Sequence, residues 1–174
     1  ALNVEAVDNV FEIKQRSYHK PLLVLIPHRK DLTSLVQHVS SAAEHIMNLF
    51  WPGAITLIFK AKDTLPANLT ADTDKVGIRM PQHPVALALS RAVGCPLTAT
   101  SANIAGGSGC SMVSDIDPRV SDKVDLILDA GPLKGGIGST VVEVTVDPPK
   151  ILREGAIPAK DIFIALKDPQ AHLL

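Results

Sequence analysis

Three fixed cations, Lys14, Arg16 and Lys20, fall within seven residues, where one apolar-periodic segment closes and the next opens. Pro21 then forces an extended chain into the apolar run Leu22–Ile26. Cations gathered at such a junction suit a polyphosphate, because Arg and Lys donate to phosphate oxygens while the strand behind holds the loop. The same residues fit a solvated basic turn, and by themselves they leave both readings open. Ser101 and Asn103 directly follow the apolar stretch Pro96–Thr100, where an α/β sheet places its ligand crevice. Their hydroxyl and amide can donate to an oxyanion, and the glycines through Gly109 let backbone N–H groups converge on an anion. An Asx or Ser/Thr turn capping the strand is the other reading. Arg79 ends the short strand pattern Val76–Arg79 just before Met80-Pro81. There it can clamp a carboxylate bidentately or serve as a strand-end surface cation. Ser139 after Gly138, and Arg153 before Glu154-Gly155, repeat that arrangement.

No Ser/His/Asp or Cys/His nucleophile set is present. His28, His38, His45, His83 and His172 fall in no metal spacing, and His19 adds nothing the basic stretch needs. The pattern GxxxxGK[ST] is also absent, so a Walker-type nucleotide site is not expected. What remains is a polar pocket of donors with no catalytic side chain and no protein-held metal. It would work by positioning substrates and stabilising charge in the transition state.

The elements that must position these groups follow from periodicity. Asn3 caps a helix over residues 3 to 15 that carries Ala6, Val7, Val10, Phe11 and Ile13 at helical spacing. Leu22–Ile26 reads as a buried strand. Asp31 caps a helix with Leu32, Leu35, Val36 and Val39, and Ser41-Ala-Ala-Glu44 has the capping-box pattern for another. Ala54–Phe59 is a strand, Ala61 to Lys75 a loop, and His83-Pro84 opens a helix that Gly94 stops. A short helical piece is expected at Asp115–Val120, a strand at Val124–Leu128 and a second Gly-rich loop at Gly131–Gly138. Ser139–Val146 and Ile151–Arg153 form a hairpin around Asp147-Pro-Pro, and a helix covers Ile157–Leu166. Strands alternating with helices, then a hairpin, give an α/β fold with a mixed sheet.

The chain of 174 residues, 46% hydrophobic and 20% charged, bounds the reading to a globular fold with a real core. A formal net charge of −1 offers no global field for nucleic acid or an anionic membrane, so any anion site is local. Aromatics at 3% argue against a base-stacking surface. Cys95 and Cys110 have no partner spacing, which suits reduced thiols and a cytoplasmic protein. No apolar run reaches membrane-span length and no signal peptide is visible.

Six stretches in order carry a resemblance. They are Lys14-Gln-Arg16 with Lys20-Pro-Leu, Trp51-Pro-Gly-Ala-Ile-Thr-Leu, Gly77-Ile-Arg-Met-Pro81, Thr100-Ser-Ala-Asn103, Gly138-Ser-Thr-Val-Val142 and Ile151-Leu-Arg-Glu-Gly155. Together they resemble the YrdC-like family of threonylcarbamoyl-AMP synthases, with Lys14-x-Arg16 and Ser101-x-Asn103 as the signature motifs. The resemblance implies an open twisted mixed sheet with flanking helices and a basic concave face, in a single domain over residues 1–174. It implies that L-threonine, bicarbonate and ATP, with Mg2+, give threonylcarbamoyl-AMP and pyrophosphate, for threonylcarbamoyladenosine in tRNA. By position, Lys14, Arg16, Lys20, Ser101, Asn103 and Arg153 would serve ATP. Lys75 and Gly109 stand where the family usually has Thr and Ser, so those contacts would be main-chain or absent. Arg79, Ser139 and the backbone at Ala99 would hold threonine. Leu25 replaces a threonine-contacting His of some members. The family's opening strand and Thr-bearing loop would precede Ala1, so the chain reads as an N-terminally truncated, single-domain form. Partner proteins that use the intermediate are expected downstream. A non-catalytic module binding tRNA or structured RNA through the same basic concavity is the alternative. A carbamoyl-adenylate domain of a hydrogenase-maturation protein is a third reading without sequence support.

Overall fold

The computed structural model describes residues 1–133 and 136–167. His172, the short tail and residues 134–135 of the second Gly-rich loop lie outside the described residues. Helix α1 spans Val4–Lys14; the Ala6 N–H donates to the Asn3 side-chain oxygen at 2.9 Å, as the N-cap pattern predicts. Gln15 then takes a left-handed conformation, with φ of 50°, and ends the helix.

Six strands follow: β1 Leu23–Leu25, β2 Ile55–Lys60, β3 Lys75–Arg79, β4 Leu97–Ala99, β5 Thr140–Glu143 and β6 Lys150–Arg153. They form one mixed sheet in the order β4-β1-β3-β2-β5-β6. The β1–β3 and β2–β5 pairs are parallel and the other three antiparallel. The expected α/β mixed sheet and the β5–β6 hairpin are thus present. Between the strands lie α2 (Leu32–Leu35), α3 (Ser41–Phe50), α4 (Ala67–Thr70), α5 (Pro84–Val93) and α6 (Pro118–Ser121), and α7 (Ala159–Lys167) closes the fold.

Alternation decides which side chains serve the core and which serve the site. Val24, Leu57, Phe59, Val76, Ile78 and Val142 point to one face, where they pack with Val7, Phe11, Ile46, Leu69 and Ile162 of the helices. The residues between them on the strands, Leu23, Leu25, Thr56, Ile58, Lys75, Gly77, Arg79, Val141 and Glu143, line an open cleft on the opposite face.

Four expectations need correction. Val124–Leu128 is not a strand: no neighbouring strand pairs with it among the described residues, and Leu126 is 72% exposed. β-propensity without a hydrogen-bonding neighbour does not make a strand. The helix expected to reach Val39 stops at Leu35, because Val36 leaves it to bridge Ala61 and the Gln37 N–H donates to the Lys60 carbonyl at 3.0 Å. The cap of α3 is Ser40, whose oxygen accepts from the Ala43 N–H at 3.2 Å, so Glu44 sits one residue too far along for a capping box. The loop over 61–75 contains α4, and Lys75 already belongs to β3.

Candidate functional site

The cleft measures about 1050 Å³. Its floor is a row of residues in register across the sheet: Ala99 opposite Leu23, Leu23 opposite Gly77, Gly77 opposite Ile58, Ile58 opposite Glu143. All five face the cleft. The floor is apolar and low at Gly77, with charge at its edges.

At one edge stands Arg79, the last residue of β3. Its Nε donates to the Gly53 carbonyl at 2.8 Å. Gly53 also donates its N–H to the Met80 carbonyl at 3.0 Å, so the Trp51-Pro52-Gly53 turn grips the end of β3 twice. Only glycine fits at 53, since a Cβ would lie 2.2 Å from the Phe50 carbonyl oxygen. Burial pushes the Arg79 pKa down from its ordinary value, yet a guanidinium keeps its charge at neutral pH. Ser139 is buried on the cleft wall, across β2 from Arg79; its hydroxyl shares a 2.8 Å hydrogen bond with the Thr56 hydroxyl. Arg153 donates from Nη2 to the Ser139 carbonyl at 2.7 Å. Behind them the Thr140 hydroxyl accepts from the N–H groups of Gly155, at 2.9 Å, and Ile157, at 3.2 Å. That ties β5 to the chain leaving β6.

At the far end of β3, four residues from Arg79 and so about 13 Å away, Lys75 pairs with Glu143 at 2.6 Å. The hydrogen bond to Glu143 raises the Lys75 pKa. Hydrogen bonds from Lys75 and then Thr145 lower that of Glu143. Arg16 borders the cleft where the chain enters β1, donating to the carbonyls of Lys20 at 3.2 Å and Pro21 at 3.0 Å. Burial lowers its pKa.

Of the residues expected from sequence, Arg16, Lys75, Arg79, Ala99, Ser101, Ser139 and Arg153 come together around this one cleft. Lys14, Lys20, Asn103 and Gly109 do not line it. Lys20 is exposed and offers its carbonyl, not its ammonium, to Arg16. Gly109 is exposed, and a Cβ added there would meet open space. Lys14 and Asn103 are buried behind Ser101 and bonded to each other. Thr56, Thr73, His83 and Glu143 also line the cleft and escaped the sequence reading. The alternation from Ser139 puts Val141 and Glu143 on one face, so that signal was available for Glu143; Thr56 needed the sheet register. Among the described residues no group of three or more His, Cys, Asp or Glu could hold a metal ion. Glu143, already engaged by Lys75 and Thr145, is the carboxylate facing the cleft.

Relatives of known name share this arrangement's sequence. Threonylcarbamoyl-AMP synthase of Pyrococcus abyssi is 33% identical over 172 residues, covering 99% of this chain and 51% of that protein. The Bacillus subtilis enzyme of the same name is 38% identical over 163 residues, covering 93% and 47%. A putative threonylcarbamoyl-AMP synthase of Methanocaldococcus jannaschii is 36% identical, with 93% and 75% covered. The chain thus spans about half the length of the first two of these relatives. Among solved structures, P. abyssi Sua5 complexed with L-threonine superposes with a TM-score of 0.90 at 33% identity, covering 95% of this chain and 48% of that one. Escherichia coli YciO superposes with a TM-score of 0.79 at 29% identity, covering 91% and 77%. The Sua5/YciO/YrdC family, described under the heading of telomere recombination, matches residues 1–155. With a match of that extent, over a sheet whose motifs meet at one cleft, this chain is a member of the Sua5/YciO/YrdC family.

Proposed function

We propose that this chain carries threonylcarbamoyl-AMP synthase activity, joining L-threonine, bicarbonate and ATP into threonylcarbamoyl-AMP with release of pyrophosphate and water. The observation that carries the reading is the bipartite cleft: Arg79 and Ser139 stand at one edge, with Arg16 and Ser101 bordering the same hollow. The names of the relatives supply the amino acid and the product.

Every reactant is anionic or becomes so, which matches a site made of donors. The Arg79 guanidinium, fixed through Nε, offers its remaining N–H groups to the threonine carboxylate, with the Ser139 hydroxyl alongside. The threonine amine takes up bicarbonate carbon and loses water, giving a carbamate. A carbamate oxygen then attacks the α-phosphorus, and pyrophosphate leaves with its electron pair. Arg16, Ser101 and Arg153 face the charge that builds on the phosphates. No side chain need form a bond; the cleft contributes proximity and charge. Mg2+ would arrive on the nucleotide, held by phosphate oxygens and water, because Glu143 is committed to Lys75 and Thr145. It would neutralise phosphate charge there. The product, an activated carbamoyl adenylate, requires a downstream transfer onto the adenosine of tRNA.

The test is pyrophosphate release. Release that needs both threonine and bicarbonate is expected. Release that proceeds equally without threonine would overturn the reading, and salt-sensitive binding of structured RNA without such chemistry would favour a non-catalytic RNA module.

A further inference from the structure

Lys14 has the chemistry of a phosphate ligand and the surroundings of a latch. It is the last residue of α1 and only 4% exposed. Its Nζ donates to the Ser101 carbonyl at 2.5 Å and the Asn103 carbonyl at 2.6 Å, with the Asn103 side-chain oxygen at 3.5 Å. An ammonium has three N–H donors and no acceptor, so these three oxygens occupy it fully. In turn, the Lys14 carbonyl accepts from the Ala105 N–H at 2.9 Å. The loop is closed from within as well. The Asn103 amide donates to the Gly107 carbonyl at 2.6 Å, and the Ser101 hydroxyl donates to the Asn103 side-chain oxygen.

The orientation of the peptides follows. A trans peptide is planar, with C=O and N–H on opposite sides. Turning the carbonyls of Ser101 and Asn103 onto Lys14 therefore turns the N–H groups of Ala102 and Ile104 away from it. Neither N–H has an acceptor among the described residues. The Ala102 N–H directly follows Ser101, which borders the cleft. An unpaired main-chain donor at the cleft border suits anionic oxygen.

We propose that Lys14 is a positioning residue: through the carbonyls of Ser101 and Asn103 it sets the 101–107 loop so that Ser101 and the Ala102 N–H that follows it meet the phosphates of the nucleotide. The inference rests on the cleft being a nucleotide site, and it replaces the expectation that Lys14 itself touches ATP.

The experiment compares the unaltered protein with Lys14→Met, which keeps the side chain's bulk and removes its donors. Two readouts are taken: amide hydrogen exchange without ligand, and the KM for ATP and for threonine. Exchange over 101–107 should speed by about tenfold or more while β2 is unchanged, because an unlatched loop opens locally. The KM for ATP should rise about 10–100-fold, as for other residues that orient a ligand-binding group, and the KM for threonine should stay put. A general loss of stability would move both KM values and the β2 exchange. Unchanged loop exchange with weakened ATP would make Lys14 a direct ligand and overturn the proposal. Faster exchange with an unchanged KM for ATP would overturn it too. If Lys14→Met does not fold, Lys14→Arg separates the same cases. A guanidinium keeps the charge a phosphate ligand needs, but its planar fork cannot converge on those three oxygens. Positioning then predicts faster loop exchange and a raised KM for ATP, and a ligand role predicts neither. Should the unaltered protein show no threonine-dependent pyrophosphate release, the functional reading falls by itself. Loop exchange and the dissociation constant for ATP would still decide on Lys14.

Discussion

Arg79 is anchored through one nitrogen, at 2.8 Å from the Gly53 carbonyl, which aims the rest of its guanidinium into the cleft. Arg79→Ala is therefore expected to lower kcat/KM for threonine by about 100-fold or more, the scale of one lost charge-stabilising donor. The KM for ATP should shift by no more than about twofold; equal losses for both substrates would remove Arg79 from the amino-acid end. The Lys75–Glu143 pair makes a different prediction. The folded carboxyl of Glu143 titrates below its ordinary 4.5, so the pair's contribution to stability is present above that value and is lost as pH falls through the lowered one. Lys75 titrates above its ordinary 10.5, so its share persists below that value and fades as pH rises beyond the raised one. In thermal melts across pH, Glu143→Gln should melt below the unaltered protein near neutrality, and the gap should close in acid. A gap independent of pH would mean packing, not charge, holds that wall. At this scale sequence reading located cleft residues where position alone decides. Arg79 and Ser139 flank strands, and strand ends are where α/β sheets put ligands. It did not foresee the burial of Lys14, because residue type announces charge but not whether carbonyls already surround that charge.

The hairpin β5–β6 and the chain after it act as one mechanical unit. Gly155 lies so close to β5 that a Cβ would sit 2.5 Å from the Ser139 carbonyl carbon. Gly155→Ala should cost about 1–3 kcal/mol by overpacking, read as a lower denaturant midpoint with an unchanged m-value. It should also disturb Arg153, whose bond to Ser139 crosses the same gap. The core face of the sheet predicts a larger loss: Leu57→Ala, at a fully buried position, should cost about 2–5 kcal/mol. The strands that became β1, β2, β3, β4 and β5 were legible because apolar runs bounded by Pro, Gly and charge mark buried strands. Val124–Leu128 has the same composition and none of the pairing, and pairing is a property of the sheet that no local window contains. The short α2 was misjudged for a related reason: Val36 and Gln37 are drawn to Ala61 and Lys60, partners remote in sequence.

Across the whole molecule one core takes side chains from β1, β2, β3, β5 and β6, and β4 joins it through its ladder with β1, so unfolding should be a single event. Trp51 is the only tryptophan and is 5% exposed, with its indole N–H donating to the Ile55 carbonyl at 3.1 Å. Its fluorescence and the far-ultraviolet dichroism should therefore change at the same temperature; two separated midpoints would mean two independently folding units. The formal charge of −1 belongs to the same scale. It shows that the cations at the cleft are a local concentration and not a sample of a basic surface, which composition could not reveal. The bare floor at Gly77 carries the last consequence. A side chain there would press on the Thr56 methyl, 3.3 Å from the first added carbon, and rise between the two ends of the cleft. A larger residue would act as a partition: each substrate could still find its own berth, yet the two would be kept from touching. On the proposed reading, chemistry between separately bound partners would depend on a place where the protein has left out matter.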